Sequence, residues 1–447
     1  TYDATDQLSF YANGGYYNRG LERPVEREDI TGGSKYNTAY EGYNWGAGAK
    51  YKLSKRNVIQ FDYSGNNYAS RYKYLIENSG YLPGQYALTK LQKFHDAELK
   101  GIFGFTTNST TVFGVDYRRE VLRRPDSDLD KSVYTTSAYG QHEVKLWNHL
   151  TGVVGVRYDH HEQTGGRFTP KVAAMYNIGN FNVRATYAAG FRAPGIDELY
   201  YHMFKKTMGT RATISLGDEN LDPERSNYYS INMEYRTNRF SASVTGYLNY
   251  VKNMVTSKST KFDDLPEAEQ NQLREEFPEI GDLSSTKNLS VKNYFNFEKA
   301  TVKGFEVNLN GNLFPGFTLA GNYTYAYGRG LNEGGEWQNI ERSIRHTATI
   351  TGNYTHSWSD YTLNLNLNGR LQSKVYYPGD ADGNAPGYGI WNFNTRHTFD
   401  GFRNFIIEPG IGIDNIFNKK DNRPLNKNFA LYSPGRSVVI SLALRLK

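Results

Sequence analysis

The sequence contains no cysteine and no long apolar segment. The absence of Cys from its 447 residues excludes disulfides and thiolate metal sites. No stretch approaches the roughly 20 consecutive apolar residues that a membrane helix requires, so the chain cannot cross a membrane with helices. Apolar residues make up only 38% of the chain, fewer than a large soluble core usually draws on. The other way to cross a membrane is a β-barrel, which satisfies its backbone polar groups between strands.

The chain also lacks a strong excess of charge. Its net charge of +6 is spread over the whole length with both signs interspersed, and it does not indicate a nucleic-acid partner. The first residue is Thr1 rather than Met, and neither the basic nor the apolar part of a secretory leader follows it. Because an outer-membrane protein needs such a leader, we expect it upstream of this sequence.

Aromatic residues, by contrast, are abundant. They account for 15% of the chain, which includes 37 Tyr and 44 Gly. A Tyr ring tolerates lipid while its hydroxyl stays in water, which suits the aromatic girdles of membrane barrels. A Tyr-rich soluble β-protein has the same composition, so composition alone leaves that alternative open.

A period of two in hydrophobicity, typical of strands, decides between these alternatives. In 361–371 the odd positions are Tyr, Leu, Leu, Leu, Gly and Leu, whereas the even positions are Thr, Asn, Asn, Asn and Arg. The same alternation recurs in 181–191, 229–236, 317–327 and 438–446. Many segments reach about 10 residues or more, the length of a tilted membrane strand, whereas the strands of soluble sandwiches are usually shorter. The sequence therefore predicts an all-β protein, a transmembrane antiparallel β-barrel with the odd-numbered residues of 361–371 facing lipid.

About eighteen strands are predicted. They are 6–17, 41–53, 58–72, 90–105, 110–122, 132–147, 149–161, 167–177, 180–191, 226–237, 238–254, 291–313, 316–328, 343–357, 359–371, 387–399, 403–417 and 436–446. Short turns and long polar loops largely alternate between them, with one short exception near Gly165-Gly166. Bacterial barrels have short periplasmic turns and long extracellular loops in this way. The one clear helical pattern, from Leu265 to Phe277, predicts a short acidic surface helix inside a long loop.

Two sequence boxes lie about twenty residues apart and give the first resemblance to a family. Phe191, Arg192, Ala193 and Pro194 form one box, and Asn220, Leu221, Pro223 and Glu224 belong to the other. They resemble the FRAP and NPxLxPE boxes of TonB-dependent outer-membrane receptors, although Glu219 stands where the family has Pro and Asp222 where it often has Lys. Further stretches similar to the family, and in its order, are Tyr294 to Glu306, Asp414 to Lys420 and Pro434 to Ser437.

The resemblance implies a barrel of about 22 strands in the outer membrane of a Gram-negative-type bacterium, filled by an N-terminal plug. It also implies import of a scarce ligand, driven by a TonB-type energy-coupling protein. On this expectation residues 1–447 form one transmembrane β-barrel domain embedded in outer-membrane lipid, and the plug and roughly four strands precede it. No permanent cofactor is implied.

The resemblance also suggests what small molecule is carried. Family receptors take up haem, iron–siderophores, cobalamin or, in some lineages, glycans and peptides. The haem receptors place a ligand His in the loop between the two boxes, where this sequence has His202 between Tyr201 and Met203. Imidazole is a common ligand of haem iron, and aromatic and Met side chains pack well against a porphyrin. Haem, with His202 on its iron, is therefore the favoured ligand, and cobalamin or an iron–siderophore is the alternative.

Two further residues are candidates for the ligand-binding site. Arg192 shares the inward parity of Arg184, which places its charge near the extracellular rim of the lumen; hydrogen bonds to neighbouring strands are the alternative role. His160 and His161 end another strand that runs outward. Adjacent strand residues face opposite sides, so at most one of the two points inward, and His160 is included as the candidate.

Other classes of protein share parts of this pattern. A passive porin would show the same alternation but would not account for the two boxes, and a steady single-channel conductance would identify it. An outer-membrane protease or lipase needs a clustered Ser, His and carboxylate, and no spacing in the sequence raises one such set above chance, so an enzyme is not expected. A surface lipoprotein partner is left open.

The last strand carries one further expectation. Its outward positions are 438, 440, 442, 444 and 446, so a residue after Lys447 would face lipid at the periplasmic edge of the bilayer, where aromatic girdles lie. Barrels of this kind resemble one another in ending on an aromatic residue. We therefore expect the native chain to continue by at least one residue, and that residue to be aromatic.

Overall fold

Long antiparallel strands dominate the structure. The computed structural model describes residues 1–22, 35–77, 80–206, 212–331, 334–340, 342–376, 384–420 and 435–447. The long strands, numbered in chain order, are β1 (Leu8–Leu21), β2 (Tyr36–Lys52), β3 (Asn57–Tyr74), β4 (Tyr86–Thr106), β5 (Ser109–Arg124), β6 (Leu129–Leu146), β7 (Leu150–His161), β8 (Gly165–Ile178), β9 (Phe181–Arg192), β10 (Glu224–Arg236), β11 (Phe240–Lys261), β12 (Leu289–Phe314), β13 (Phe317–Leu331), β14 (His346–Trp358), β15 (Tyr361–Gln372), β16 (Tyr388–Phe399), β17 (Phe405–Asp414) and β18 (Ser437–Leu446). Each overlaps one predicted segment, so the predicted strands are confirmed. Pro434, part of one predicted family match, lies outside the described residues.

All the long strands belong to one sheet, in which each pairs antiparallel with the next along the chain. Four short strands join the same sheet: Tyr2–Asp3, His202–Lys206, Ala212–Leu216 and Trp337–Asn339. No backbone pairing between β18 and β1 occurs within the described ranges, so these strands lie at the two edges. The described strands therefore form one continuous antiparallel barrel sheet with two edges, so the predicted fold class is confirmed, whereas closure of the barrel stays a prediction.

Short turns gather at one end of the sheet and long connections at the other. The turns 107–108, 179–180, 315–316 and 359–360 all join strands at the first end. Gly316 has a φ of +82°, and a Cβ on it would lie 2.2 Å from the carbonyl oxygen of Thr355, so only glycine fits this turn. Residues 193–223 and 262–288 are long connections at the other end. Since bacterial barrels keep their short turns in the periplasm, the long connections are extracellular.

The two faces of the sheet differ as the alternation predicts. Large apolar side chains on one face are exposed, among them Val154 at 56%, Ile231 at 55% and Leu367 at 42%. Side chains on the opposite face are mostly polar and bond to one another across strands, as Asn366 does to Asn353. An apolar exposed face suits lipid and a polar face suits a hydrated lumen. In the described part of the chain, no helix is long and apolar enough to cross a membrane.

The extracellular end carries a small hydrophobic core of its own, which we call the cap core. It consists of the buried residues Ala212, Ile214, Phe262, Leu273, Phe277, Ile280, Leu289 and Val291. The short strand Ala212–Leu216 pairs in parallel with the start of β12, so it extends the sheet above the bilayer. Two connections that are distant in sequence thus fold together into one packed unit.

Two α-helices lie within these connections: α1 (Ile196–Tyr200) and α2 (Glu267–Glu276). The predicted loop helix is therefore confirmed in α2, which starts directly after Pro266. The prediction that it lies on the surface, surrounded by solvent, is only partly right. Leu273, near its end, is only 3% exposed and packs into the cap core, because the helix places one apolar stripe against the strands.

Candidate functional site

The first part of the connection between the two boxes packs against the extracellular ends of several strands. Helix α1 follows β9 directly, and its first residue, Ile196, packs against the buried residues Leu122, Leu129 and Val133 of β5 and β6. Its Leu199 packs on the opposite side, in a cluster that includes Leu221 and Val255. The helix therefore bridges the extracellular ends of β5–β6 and β11 and forms a fixed shelf in the mouth.

Arg192, the last residue of β9, fastens this shelf to the sheet. Its Nη1 donates to Glu198 Oε2 of α1 at 2.9 Å, and its Nη2 donates to Glu224 Oε1 of β10 at 2.6 Å. Glu198 also accepts the backbone N–H of Gly195 at 2.7 Å, and Glu224 accepts that of Val255 at 2.8 Å. One guanidinium with two carboxylates thus ties α1, β9, β10 and β11 together, which is a strong, charge-assisted arrangement. Of the two predicted roles for Arg192, these contacts match hydrogen bonding to neighbouring strands.

The second box has a similar architectural role. Leu221 and Pro223 are buried, and Leu221 belongs to the cluster that holds α1. The backbone N–H of Asp222 donates to Asn296 Oδ1 at 2.9 Å, and Asn296 Nδ2 donates back to the carbonyl oxygen of Asp222 at 3.0 Å. Asn220 donates through its backbone N–H to Asp218 at 2.8 Å. The structure therefore joins the second box to the Tyr294–Glu306 stretch that also resembles the family.

His202 lies in the extracellular region, as predicted, at the start of the short strand His202–Lys206. Its ring stacks on Phe277 with the centroids 4.4 Å apart, and its Nε2 lies 3.3 Å from Glu276 Oε2. The side chain is 55% exposed. Glu276 also accepts a hydrogen bond from Gln272 Nε2 at 2.8 Å. The bonds from Gln272 and His202 hold the pKa of the Glu276 carboxyl below its usual range.

The two neighbours of His202 are less accessible. Met203 is buried at 6% exposure. The hydroxyl of Tyr201 accepts a hydrogen bond from Arg124 Nη1 at 3.1 Å, and burial raises its pKa. The structure therefore brings only His202 of this trio to the surface. Among the described residues, no three His, Asp or Glu side chains lie close enough together to share a metal ion.

His160 was predicted to point into the lumen, but His161 is the residue on the inward face of β7. Along β7 the exposed apolar residues are Val154, Val156 and Tyr158, and His160 continues that outward set because side chains alternate along a strand. His161 follows the inward set and is buried at 5% exposure. The sequence alone could have distinguished the two residues, because His160 shares the even-numbered, lipid-facing positions of Val154 and Val156.

Five neighbouring strands line the lumen with amides and hydroxyls, and we call this part the amide wall. It comprises the inward residues of β11–β15: Ser241, Ser243, Thr245, Asn308, Asn310, Asn312, Thr318, Asn322, Thr324, Thr347, Thr349, Thr351, Asn353, Thr355, Thr362, Asn364, Asn366 and Asn368. Neighbours bond across strands, as in Asn322 to Asn308 at 2.6 Å and Asn368 to Thr351 at 2.7 Å. Glu306 and Arg370 share this face and carry charge.

The opposite part of the lumen is lined by ion pairs, and we call it the charged wall. Its ion-paired residues include Asp62, Asp96, Glu98, Lys100, Asp116, Arg118, Arg157 and Asp159 of β3–β5 and β7. Arg157 contacts Asp116 at 2.6 Å and Asp159 at 2.7 Å. Lys100 contacts Glu98 at 2.7 Å and Asp62 at 3.2 Å. The sequence predicted that polar residues face inward, but it did not predict that amides and ion pairs line different parts of the lumen. The prediction compared positions within one strand and not between strands.

These features define a class, a membrane β-barrel with a polar lumen and a structured extracellular mouth. Residues 1–416 match the family model described as TonB dependent receptor-like, beta-barrel. The chain belongs to this family, which confirms the resemblance and places the chain in the Gram-negative outer membrane. The family consists of receptors and transporters rather than enzymes and carries no permanent cofactor.

Individual relatives are similar over part of their length. The ferric enterobactin receptor PirA of Pseudomonas aeruginosa is 24% identical over 315 residues, which cover 64% of this chain and 38% of that protein. The vitamin B12 transporter BtuB of Vibrio cholerae is 25% identical over 182 residues, which cover 40% of this chain and 27% of that protein. The chain spans less than half the length of these curated relatives.

A solved structure confirms the fold. The FrpB iron transporter from Neisseria meningitidis superposes with a TM-score of 0.70 at 12% identity, over 98% of this chain and 69% of that chain. At this identity the likeness concerns the fold alone. The preference for haem finds no support in these comparisons, which name a siderophore receptor and a vitamin B12 transporter, and neither does a surface lipoprotein partner.

Proposed function

We propose that the whole protein is a TonB-dependent importer of a ferric chelate of the siderophore class. The observation that carries this proposal is the family match over residues 1–416, together with the similarity to a receptor named for ferric enterobactin. A TonB-type protein would supply the energy, and a small-molecule chelate would be the cargo. The iron would arrive already bound by the chelate and would be substrate, not a resident cofactor.

The geometry of the mouth supports capture of such a ligand. Helix α1 is held by hydrophobic contacts on two sides and by the Arg192 ion pairs, so it needs little ordering when a ligand binds. A preorganised site avoids part of the entropy cost of binding, which favours tight capture of a scarce molecule. Each long strand contributes polar side chains to the lumen below the mouth, which suits a hydrated cargo.

Haem and cobalamin are the alternatives for the same mechanism. Haem is favoured by one observation, the half-exposed His202 ring in the extracellular region. In this structure that ring already stacks on Phe277 and contacts Glu276, so it would have to leave both to bind iron. Cobalamin is favoured by the similarity to a vitamin B12 transporter over 182 residues.

Uptake by a receptor-deficient strain that expresses the full-length protein tests the proposal. The strain is given ⁵⁵Fe-loaded catecholate siderophore, haem or labelled cobalamin in separate experiments, with and without a functional TonB system. We expect TonB-dependent accumulation of iron from the chelate at a rate at least tenfold above that with haem. Growth on haem alone, or accumulation of cobalamin alone, would replace the ligand assignment, and accumulation without TonB would contradict the mechanism.

A passive channel is distinguished by conductance. The full-length protein is inserted into a planar bilayer without TonB. A transporter with an occupied lumen should conduct little, whereas a steady large conductance would indicate a porin.

A further inference from the structure

We propose that the outward face of the barrel binds the phosphate groups of a membrane lipid at the extracellular part of β10–β12. The site is a set of three neighbouring cations, which we call the basic row: Arg225, Lys252 and Lys299. It lies outside the lumen, so it is separate from the ligand's path and from whatever fills the lumen. Its role does not depend on which cargo the protein imports.

Backbone pairing places the side chains of the basic row directly beside one another. Arg225 faces Lys252 in the pairing of β10 with β11, and Lys252 faces Lys299 in the pairing of β11 with β12. All three residues are exposed. Directly opposed strand residues have Cβ atoms roughly 4.5–5.5 Å apart, and like charges in this arrangement are destabilising. An anion that bridges the row relieves this repulsion.

The outward face itself offers the basic row no matching carboxylate. The outward positions of β10–β13, as far as the structure describes these strands, include no Asp or Glu. Glu224, the neighbour of Arg225 in sequence, points inward and pairs with Arg192. Arg225 and Lys252 have no hydrogen-bond or ion-pair partner among the described residues. Their charges are therefore available to a ligand outside the barrel.

The surface beneath the basic row changes from polar to apolar within a few residues. The next outward rows are Asn227, Tyr250 and Thr301, then Tyr229, Leu248 and Lys303, then Ile231, Gly246 and Phe305. From Phe240 to Tyr250, β11 has about the length that a tilted strand needs to cross a bilayer. Lys252 is the next outward residue, so the basic row lies at the extracellular boundary of the membrane.

This position selects a phosphorylated lipid as the occupant. Guanidinium and ammonium groups both bind phosphate strongly, and basic clusters at a membrane boundary bind anionic headgroups. Lys303 and Arg329 lie on the same face, opposite Leu248 and Thr301, and extend the positive surface. A free phosphate would contact the cations alone, whereas a lipid also covers the apolar rows below them with its acyl chains.

Other extracellular cations on the outward face provide a matched control. Lys93, Arg119 and Arg123 lie in the extracellular halves of β4 and β5. They face two apolar residues and His95 instead of one another, and Arg123 pairs with Asp130. They carry the same total charge without forming a row. Replacing all three by Gln gives the control variant.

Lipid binding by the purified full-length protein in a neutral detergent tests the site. The probe is diphosphorylated lipid A, and native mass spectrometry counts the bound lipid as its concentration is raised. Each basic residue near an anionic membrane surface contributes roughly fivefold to affinity. We therefore expect the row variant, with Arg225→Gln, Lys252→Gln and Lys299→Gln, to bind lipid A at least tenfold more weakly. The control variant should bind it less than threefold more weakly.

Two further comparisons separate charge from shape. Lipid A without its phosphates should bind the unsubstituted protein at least tenfold more weakly than the diphosphorylated form. The charge-conserving variant, with Arg225→Lys, Lys252→Arg and Lys299→Arg, should keep its affinity within threefold. Heat-modifiable mobility in gels confirms that each variant is folded.

Several outcomes would overturn the site. These are unchanged binding in the row variant, equal weakening in the row and control variants, equal binding of both forms of the lipid, and loss of binding in the charge-conserving variant. Displacement of the lipid by an equal concentration of inorganic phosphate would assign the row to a free anion instead. A dimer that disappears in the row variant would assign it to a second copy of the chain.

Discussion

Arg192 and Glu224 face each other across β9 and β10 and form an ion pair of 2.6 Å, although they are 32 residues apart in sequence. The same carboxylate oxygen of Glu224 accepts the backbone N–H of Val255 in β11. The two boxes that identify the family are therefore the two halves of one structural joint. Through Glu198, the joint also fixes α1 at the start of the connection that contains His202.

Removing the charge of Arg192 should loosen the mouth without unfolding the sheet. In Arg192→Gln both carboxylates lose their cationic partner but keep their backbone hydrogen bonds from Gly195 and Val255, and the pairing of β9 with β10 remains. Because the guanidinium is 45% exposed, we expect a local cost of about 1 kcal/mol. Hydrogen exchange of residues 193–223 should speed up about fivefold, and affinity for the ligand should fall.

The matched control is Arg236→Gln, which removes the Arg236–Glu234 pair at the periplasmic end of β10. It should leave exchange in 193–223 unchanged. If both variants, or neither, alter that exchange, the joint does not hold the mouth.

The register of the sheet predicts opposite environments for two adjacent residues of β15. Leu365 faces Tyr354 on the outward side, and Asn366 bonds to Asn353 on the inward side. Spin labels at Leu365→Cys and Asn366→Cys in the full-length protein should be reached preferentially by oxygen and by a water-soluble nickel chelate, respectively. Residues 1–447 contain no Cys, so each label is unique within this part of the protein. The reverse accessibility would mean that the strand is shifted by one residue.

Much of this architecture could be predicted from the sequence. A barrel strand faces lipid on one side and the hydrated lumen on the other, so its apolar and polar residues alternate with a period of two. The strand β12 is an instance: the sequence predicts one strand from Val291 to Leu313, because splitting it would break the alternation of short and long connections, and the structure extends it to Leu289–Phe314. The partners of Arg192 could not be predicted. Glu198 and Glu224 are 6 and 32 residues away, and only the folded loop shows that both reach the same guanidinium. The cap core was missed because its members come from separate loops whose apolar residues look isolated.

Substitution of His202 should separate haem from a chelate as cargo. Because its ring is engaged by Phe277 and Glu276, we expect His202→Ala to change the affinity for a ferric chelate less than threefold. Titration of the full-length protein with haem should show no Soret shift that depends on this residue. A Soret shift present in the unsubstituted protein and absent in His202→Ala would assign the iron ligand to His202 and restore haem as the cargo.

The contact between α2 and the strand of His202 should depend on pH through Glu276. A carboxyl whose pKa is lowered by folding contributes stability that is present above its unfolded pKa of about 4.3 and is lost as the pH falls through the lowered value. Hydrogen exchange in Glu267–Glu276 should therefore accelerate below about pH 4. Glu276→Gln should remove this dependence, and Glu275→Gln, one residue away, should retain it. A profile that is identical in both variants would assign the pH response to another group.

The cap core should be the most sensitive part of the extracellular region to loss of volume. Phe262 is fully buried, packs among Ile214, Leu273 and Phe277, and lies beneath the guanidinium of Arg274, 4.9 Å from its ring centroid. Phe262→Ala removes a large ring and leaves a cavity, for which losses of about 3–5 kcal/mol are typical. Since the cap core is small, we expect residues 262–288 to become protease-sensitive.

The barrel sheet should survive this change, because the pairing of β11 with β12 continues far below the cap core, down to Phe240 and Gly311. Far-ultraviolet circular dichroism and heat-modifiable mobility should therefore match those of the unsubstituted protein. Leu265→Ala, at the partly buried margin of the same core, serves as the graded control and should cost about 1–2 kcal/mol. Equal protease resistance of Phe262→Ala and the unsubstituted protein would show that the strands alone hold the extracellular region, and that its buried side chains contribute little to its order.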